Sequence, residues 1–587
     1  MLAHTSVRRL ALLASLVLLA GPARAQFGQF TWTFSATGTG SGSVSPFAMI
    51  IHGPDASCCA SSVASFMSVA PYDLVLVVDY DVENFDKAGP DYDYLVAFDD
   101  RGMQYVAGDC FGCQLVLEVS AGSSFGFGVF SADSFFGGAV ATLTNLLVQP
   151  APHGPGAAGT ATGGQFGAAL ATLSDVQGDG APEIAVGAPG VAAEKGRVTV
   201  HDGANFAVVR TFDGAAAGDR FGAALAGVGD QDGDGFVDLL VGAPRSDVGY
   251  PNGGAVRLYS LATGLLAELP GSASADEFGR ALADAGDVDG DGLHDLLIDA
   301  PRHDGVGADS GQVVILAGGT YALLASWEGA AAGDQFGSAV AGVGDLDGDG
   351  VPDVAIGTPL ADMLATNSGR AQLFSGATGA LLHELAPLSC NGDTGDHFGS
   401  AVAGVGDVDG DGTPDVAVGV PGESCSGNGS SGALRVYSGA DGQLLTNVFG
   451  ANNEGFLGQS LAGPGDANVD GVPDLLVGSP GFQFPAQTGS ALLLSGVDDG
   501  VLLGLAGSQF EDGFGSAVAA PGDTNGDGRM DALIGAPATF TGDLGTARLV
   551  QPDFLWTDVG HALAGAGTPE LDGEGLLAPG TPFALAL

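Results

Sequence analysis

The chain has 587 residues, of which 45% are apolar and 101 are glycine, and it carries a formal net charge of −52. Apolar content of that size is ample for more than one core, and so many glycines fit short strands joined by tight turns rather than helices. So acidic a balance excludes the basic footprint of a nucleic-acid-binding protein, and no nucleic-acid partner is expected.

Residues 1–25 read as an export signal. Arg8 and Arg9 precede the apolar run from Leu10 to Ala20, and Ala23-Arg24-Ala25 gives a small-x-small cleavage pattern before Gln26. The run is too short to span a bilayer and no later segment reaches about 18 apolar residues, so no transmembrane span is expected in the mature chain. A retained anchor is the alternative. The expected localisation is secreted or periplasmic, or at the cell surface.

Residues 26–150 contain β-branched, partly alternating segments such as Tyr72 to Tyr80 and Ala139 to Leu147, set between Gly, Ser and Asp turns. They predict a small antiparallel β-sandwich. An even cysteine count in an oxidising compartment favours disulfides. Cys58, Cys59, Cys110 and Cys113 allow three pairings within the sandwich, and elimination leaves Cys390 to pair with Cys425. Residues 151–164 have linker composition.

From 165 to 552 one phrase recurs seven times: Phe-Gly, a run of small residues, an Asp-rich loop, then a strand ending in Gly-Ala-Pro or a variant. The first loop aspartates are Asp175, Asp230, Asp287, Asp345, Asp407, Asp466 and Asp523, spaced by 55 to 62 residues. Each repeat parses into four short strands, in the second repeat Gly222 to Val228, Val237 to Gly242, Ala255 to Ser260 and Leu265 to Leu269. A four-stranded sheet alone leaves two apolar faces bare, and seven such units cover each other best in a ring. The predicted fold class is all-β, a seven-bladed β-propeller preceded by the small β-sandwich. Residues 553–587 are too few for a domain and read as a tail, either a last strand or the remnant of a β module.

The Phe-Gly and Gly-Ala-Pro pair, with an Asp-x-Asp-x-Asp-Gly-x-x-Asp loop between, resembles the FG-GAP repeats of integrin α-subunit propellers. The sixth copy departs with Phe456-Leu-Gly458 and Gly478-Ser-Pro480, and the third with Asp299-Ala-Pro301. Almost every repeat here has an Asp loop, whereas the integrin family typically carries it in only some blades. The resemblance implies an adhesion or ligand-binding module rather than an enzyme, although fold alone does not fix function.

Side chains at positions one, three, five and nine of each loop, with the carbonyl of position seven, offer hard oxygen ligands suited to Ca²⁺. The expected ligands are Asp175, Gln177, Asp179 and Glu183 in the first loop, Asp230, Asp232, Asp234 and Asp238 in the second, and Asp287, Asp289, Asp291 and Asp295 in the third. They continue with Asp345, Asp347, Asp349 and Asp353, then Asp407, Asp409, Asp411 and Asp415, then Asp466, Asn468, Asp470 and Asp474, and finally Asp523, Asn525, Asp527 and Asp531. Two carboxylates about 4 Å apart repel by roughly 4 kcal/mol at an effective dielectric near 20, so a cation in each loop is expected, up to seven in all. The competing reading is that Asp and Gly merely favour turns. The loop is no EF-hand, because position twelve of the fourth loop is Ile356, inside an apolar strand.

A second recurrent acid lies two residues before the Phe, at Asp219, Asp276, Asp334, Asp396, Glu454 and Asp512, and is read as a bond to nearby backbone rather than a ligand-facing ring. No His-Glu-x-x-His or Walker-type loop is present, and the nine histidines are scattered. No catalytic residue is assigned. The expected function is a secreted calcium-binding module for an extracellular protein or glycan ligand. A structural part of an envelope or extracellular layer and a polysaccharide-active propeller are the alternatives. Ligand contacts are expected on the varied segments after the second strand of a blade, 245–254, 302–311, 360–369 and 422–432.

Overall fold

The computed structural model describes residues 156–551 apart from 389–393, 425–429, 451–454, 482–488, 508–511 and 538–543, together with the strands between residues 33 and 150. The expected export signal, the cysteine side chains and the tail from 553 lie outside the described residues. Ten strands between Thr33 and Pro150 form two antiparallel five-stranded sheets, with Val140–Pro150 pairing Leu74–Glu83 in one of them. Two sheets are what a sandwich requires; their packing lies outside the described residues.

The rest of the described chain is a seven-bladed β-propeller. The blades span 169–213, 225–270, 282–328, 339–385, 401–449, 460–506 and 517–550, each an antiparallel meander of strands in chain order. In blade two the strands are Leu225–Gly227, Leu239–Ala243, Ala255–Ser260 and Gly264–Pro270. The first is shorter than the sequence predicts, although Gly222 N–H still bonds the Gly242 carbonyl and Val228 N–H that of Asp238. Second strands such as Ile184–Ala188 and Leu239–Ala243 are buried at every residue, as their continuous apolar runs demand. Outer strands such as Gly264–Pro270 alternate towards solvent.

Blade seven is closed by a segment from the other end of the ring. Gly156–Ala158, within the stretch of linker composition, pairs antiparallel with Thr546–Val550, matching Ala157 to Ala547. At the inner edge, Thr172 Oγ1 of blade one donates to the Ala520 carbonyl of blade seven at 3.2 Å. The ring is therefore latched at both its inner and outer edges.

Each of the seven apolar clusters draws on two neighbouring blades. One joins Phe166, Ile184 and Val186 to Leu533 and Leu549, and another joins Leu346 and Leu373 to Phe398 and Val418. The repeated phrase encodes this seam. Each Phe-Gly phenylalanine (or Leu457) sits against the glycine that precedes the third strand of the blade before, for example Phe398 on Gly369 and Phe221 on Gly196. In blades one, two, four and five it also meets the ring at the end of its own third strand edge-on, as in Phe221 with Tyr259 at 6.0 Å and Phe398 with Tyr437 at 6.0 Å. The Gly-Ala-Pro glycine abuts the Phe-Gly glycine of the next blade. A Cβ on Gly242 would fall 2.0 Å from the Gly279 oxygen, on Gly419 1.9 Å from that of Gly458, and on Gly535 2.1 Å from that of Gly167.

Blade three breaks the pattern with Asp299, which is fully buried at this seam. Its Oδ1 accepts the Ala281 N–H at 2.6 Å, while Oδ2 has no hydrogen-bond partner. Burial raises its pKa well above the usual carboxylate range, against the opposing pull of the Ala281 N–H.

Gly419→Ala is expected to lose about 1–3 kcal/mol of stability through overpacking at the seam, read as a lower urea midpoint; an unchanged midpoint would show that the seam tolerates a methyl group. For Asp299, a carboxyl whose folded pKa is raised stabilises the fold below its unfolded pKa, and that contribution is lost as pH rises through the folded value. Asp299→Asn removes the loss. The variant should be more stable than the parent at neutral and alkaline pH, with the two converging in acid. A stability difference independent of pH would rule out this account.

Candidate metal centres on the Asp loops

Every Asp loop links the first and second strands of its blade, so all seven open at one end of the propeller. A glycine with positive φ, such as Gly406 at +75°, ends the first strand in a register shift and turns the chain into the loop. The loop then winds around its first carboxylate. In blade five Asp407 accepts the N–H groups of Gly410, Asp411 and Gly412 at 2.7, 3.0 and 2.9 Å. Asp409 accepts Asp411 N–H at 3.0 Å, and Asp411 accepts Thr413 N–H at 2.8 Å. Asp345, Asp287, Asp230, Asp175 and Asp523 are wrapped in the same way, and Asp466 by two such bonds.

The ninth residue has a task the sequence reading missed. Asp415 takes Val408 N–H on Oδ2 at 2.8 Å and Gly439 N–H on Oδ1 at 3.1 Å, tying the loop to the connection between strands three and four. Asp295, Asp353 and Asp474 make the matching pair of bonds, to Gly318, Gly376 and Gly496 respectively. Position nine is thus a buried clamp as well as a candidate ligand. The available signal was the glycine that opens the fourth-strand connection in each of those repeats.

Four loops bring three carboxylates together, with oxygens within 4.8 Å of one another: Asp230, Asp232 and Asp234; Asp287, Asp289 and Asp291; Asp345, Asp347 and Asp353; Asp407, Asp409 and Asp415. The fourth predicted residue of each loop, Asp238, Asp295, Asp349 or Asp411, is in the same turn but outside that group. Acceptor-only oxygens converging in this way fit a hard cation such as Ca²⁺ rather than zinc or copper. In blade two the fit extends to a buried Asp238 Oδ1 with no hydrogen-bond partner.

The other three loops are built differently. In loops six and seven the third-position amides turn on their neighbours: Asn468 Nδ2 donates to Asp470 at 2.9 Å and Asn525 Nδ2 to Asp527 at 3.1 Å. Part of the repulsion that a cation would relieve is relieved there by an N–H. In loop one Glu183 is buried and spends both oxygens on the loop's own amides, Val176 at 2.8 Å and Gln177 at 3.2 Å. Among the described residues the acids of loop one do not form a three-carboxylate group like those of loops two to five.

Electrostatics follow this layering. Burial, with the added charge of Asp232, Asp234 and Asp230, pushes Asp238 up to about 7 despite the Gln231 N–H. Burial likewise takes Asp474 to about 7 and Asp531 to about 6. At the exposed rim the balance reverses, and N–H bonds led by Gly180 hold Asp175 below the usual range. The second recurrent acids are occupied locally: Asp219 accepts Ala216 N–H, Asp512 accepts Phe514 N–H, Asp276 faces His303, and Asp334 lies 3.7 Å from Arg370. Glu454 lies outside the described residues.

Comparison with known proteins places the architecture. A model of the FG-GAP repeat matches residues 166–201, 221–259, 336–374 and 398–437, each running from a Phe-Gly phenylalanine to the end of the third strand. The chain is 31% identical over 217 residues to integrin alpha-5 of Xenopus laevis, covering 35% of this chain and 20% of that protein. It is 33% identical over 205 residues to integrin alpha-2 of Mus musculus (32% and 17%) and 34% over 209 to integrin alpha-IIb of Homo sapiens (33% and 19%). It therefore spans about a fifth of the length of these relatives. A solved structure titled "Complex of KlAtg21 with coiled-coil of AgAtg16" covers 62% of this chain and 93% of its own at a TM-score of 0.37 and 10% identity, too distant to add to the fold. The chain thus carries FG-GAP repeats on a seven-bladed propeller, and it is similar to integrin α chains over about a third of its length.

A charge-only change separates metal site from turn. Asp409→Asn keeps an oxygen for the Asp411 N–H but removes one negative charge. In calcium at about millimolar concentration it should lower the melting temperature, and in excess chelator raise it slightly, because repulsion falls. The same sign in both conditions would mean that the loop holds no cation.

Proposed function

We propose that the chain is an extracellular, calcium-stabilised propeller that binds a protein or glycan at a cell surface or matrix. One observation carries the reading: the two ends of the ring are built to different rules. At one end an Asp loop recurs in all seven blades; at the other the segments 245–254, 302–311 and 360–369 differ in sequence and charge. Varied loops on a rigid, repeated frame are where a binding surface is expected. The Asp loops would hold Ca²⁺ through positions one, three, five and nine and would brace the frame from the opposite end. Likeness to integrin α chains supports binding over catalysis, and among the described residues no helix is long and apolar enough to cross a membrane.

Calorimetric titration of the signal-free chain with calcium should reveal several sites. With dissociation constants of about 10⁻⁴ to 10⁻³ M, each adds on the order of 0.5–1.5 kcal/mol at millimolar calcium, so chelation should lower the melting temperature clearly. An array of immobilised matrix proteins and glycans is then probed in calcium and in chelator. Retention that requires calcium supports the proposal. No retention on any surface, with concentration-dependent self-association instead, would favour a layer-forming protein.

A further inference from the structure

We propose that three arginines at the end of the ring opposite the Asp loops form a receptor for a carboxylate carried by an acidic peptide segment of the ligand; this deepens the binding function proposed above. Arg245 begins the varied segment after the second strand of blade two, Arg302 begins that of blade three, and Arg280 follows the Phe-Gly phenylalanine of blade three. All three converge on Glu277. Arg280 Nη1 lies 3.5 Å, Arg302 Nε 3.7 Å and Arg245 Nε 3.8 Å from its carboxylate. Glu194 stands 3.8 Å from the far side of Arg245. Three guanidinium groups thus face the carboxylates of Glu277 and Glu194, with the buried Asp299, whose pKa burial raises, also within reach of Arg280; this is a local concentration of positive charge in a chain with 17 basic residues against 69 acidic ones.

The geometry sets these arginines apart from the structural ones. Arg197 and Arg257 close on Asp213 and Glu268 at 2.7 Å, and Arg435 is fully buried against Glu423. The three around Glu277 stay at 3.5 to 3.8 Å with their side chains 44–49% exposed, while Glu277 itself is 14% exposed. Glu277 therefore anchors the cluster through one long hydrogen bond, from Arg280 Nη1 at 3.5 Å, while Arg245 and Arg302 stay beyond hydrogen-bond distance of it. The neighbouring acids are engaged elsewhere: Asp276 is buried against His303 and Ser272, and Asp247 accepts the Asn252 N–H. A guanidinium fork with free N–H groups matches a carboxylate in two-bond geometry.

The acidic surroundings argue for a short acidic segment over a polyanionic chain. At physiological ionic strength charge is felt over about 8 Å, so an acid seated on the cluster gains while charges extending past it meet a repelling surface.

The test uses the mature chain in calcium over a sensor densely coated with the peptide Gly-Ser-Glu-Ser-Gly, with Gly-Ser-Gln-Ser-Gly, hyaluronan fragments and heparin as separate surfaces. The Glu peptide should be retained above the Gln peptide. Arg280→Gln should weaken retention about threefold, as expected for one exposed charge pair, and the triple Gln variant of Arg245, Arg280 and Arg302 should reduce it to the Gln level. Glu277→Gln removes the internal competitor and should strengthen retention. Equal retention of both peptides, or indifference to Arg280→Gln, overturns the proposal. So does arginine-dependent retention of hyaluronan or heparin without the Glu peptide, which would assign the cluster to a glycan. If a matrix ligand found on the array binds in calcium regardless of the arginine changes, this inference fails while the binding function stands. If no surface is retained and chelation leaves melting unchanged, the function itself fails.

Discussion

A four-stranded blade has two apolar faces, and in this propeller they are covered by the blades beside it. Among the described residues all seven buried clusters straddle a seam, and none belongs to one blade alone. Cohesion is therefore nearest-neighbour in kind, and the ring has to close or leave two faces bare. Closure makes particular demands. The inner strands must approach closely, so a Cβ on Gly404 would meet the Gly342 oxygen at 3.1 Å and one on Gly463 the Gly404 oxygen at 2.5 Å. The outer edge of blade seven must be supplied by residues that precede blade one, and Gly156–Ala158 does so.

The seam also explains why the Asp loops share one placement and wind around the same first carboxylate. A blade fixed on both sides presents the start of its second strand at a constant height, and the ninth loop residue stands at that point, as in Asp353–Thr358 and Asp415–Val420. There its carboxylate is sunk between two backbone N–H groups while the first, third and fifth carboxylates reach towards solvent. Neighbouring loops touch as well: the glycine before Asp345 packs on Pro414, and the glycine before Asp407 on Pro473. A cation drawn into one loop would thus stiffen the junction with the next. The substitutions in loops one, six and seven show the alternative solution, in which an amide or a longer acid relieves the repulsion at the cost of a ligand.

The ring and the candidate ligands were legible because each is written locally and repeated: a period near 58, Phe-Gly, Gly-Ala-Pro, and acids at fixed offsets. What was not legible depends on partners distant in sequence. Gly156–Ala158 has neither alternation nor β-branched residues, and it is a strand because Thr546–Val550 offers it an edge. The clamp at position nine needs an N–H some 23 residues downstream in blades three and four, which spacing within the loop cannot show. Asp299 stands out in the sequence as a departure from Gly-Ala-Pro, but only the seam reveals it as a buried acid with one bonded oxygen. The arginines at 245, 280 and 302 look like isolated surface charges until two adjacent blades set them around Glu277.

The strongly negative charge then has different consequences at the two ends of the ring. At the Asp-loop end it is concentrated on oxygens already oriented by backbone N–H groups, so a divalent cation would enter a turn that is largely preformed and little ordering would oppose its binding. At the opposite end the same overall charge raises the value of any local reversal of sign. A cluster of arginines there would face little competition from other basic patches for an anionic partner, while acidic surroundings would hold longer polyanions away. Specificity for such a partner would then arise from what surrounds the cluster as much as from the cluster itself, because a surrounding negative charge disfavours other polyanions.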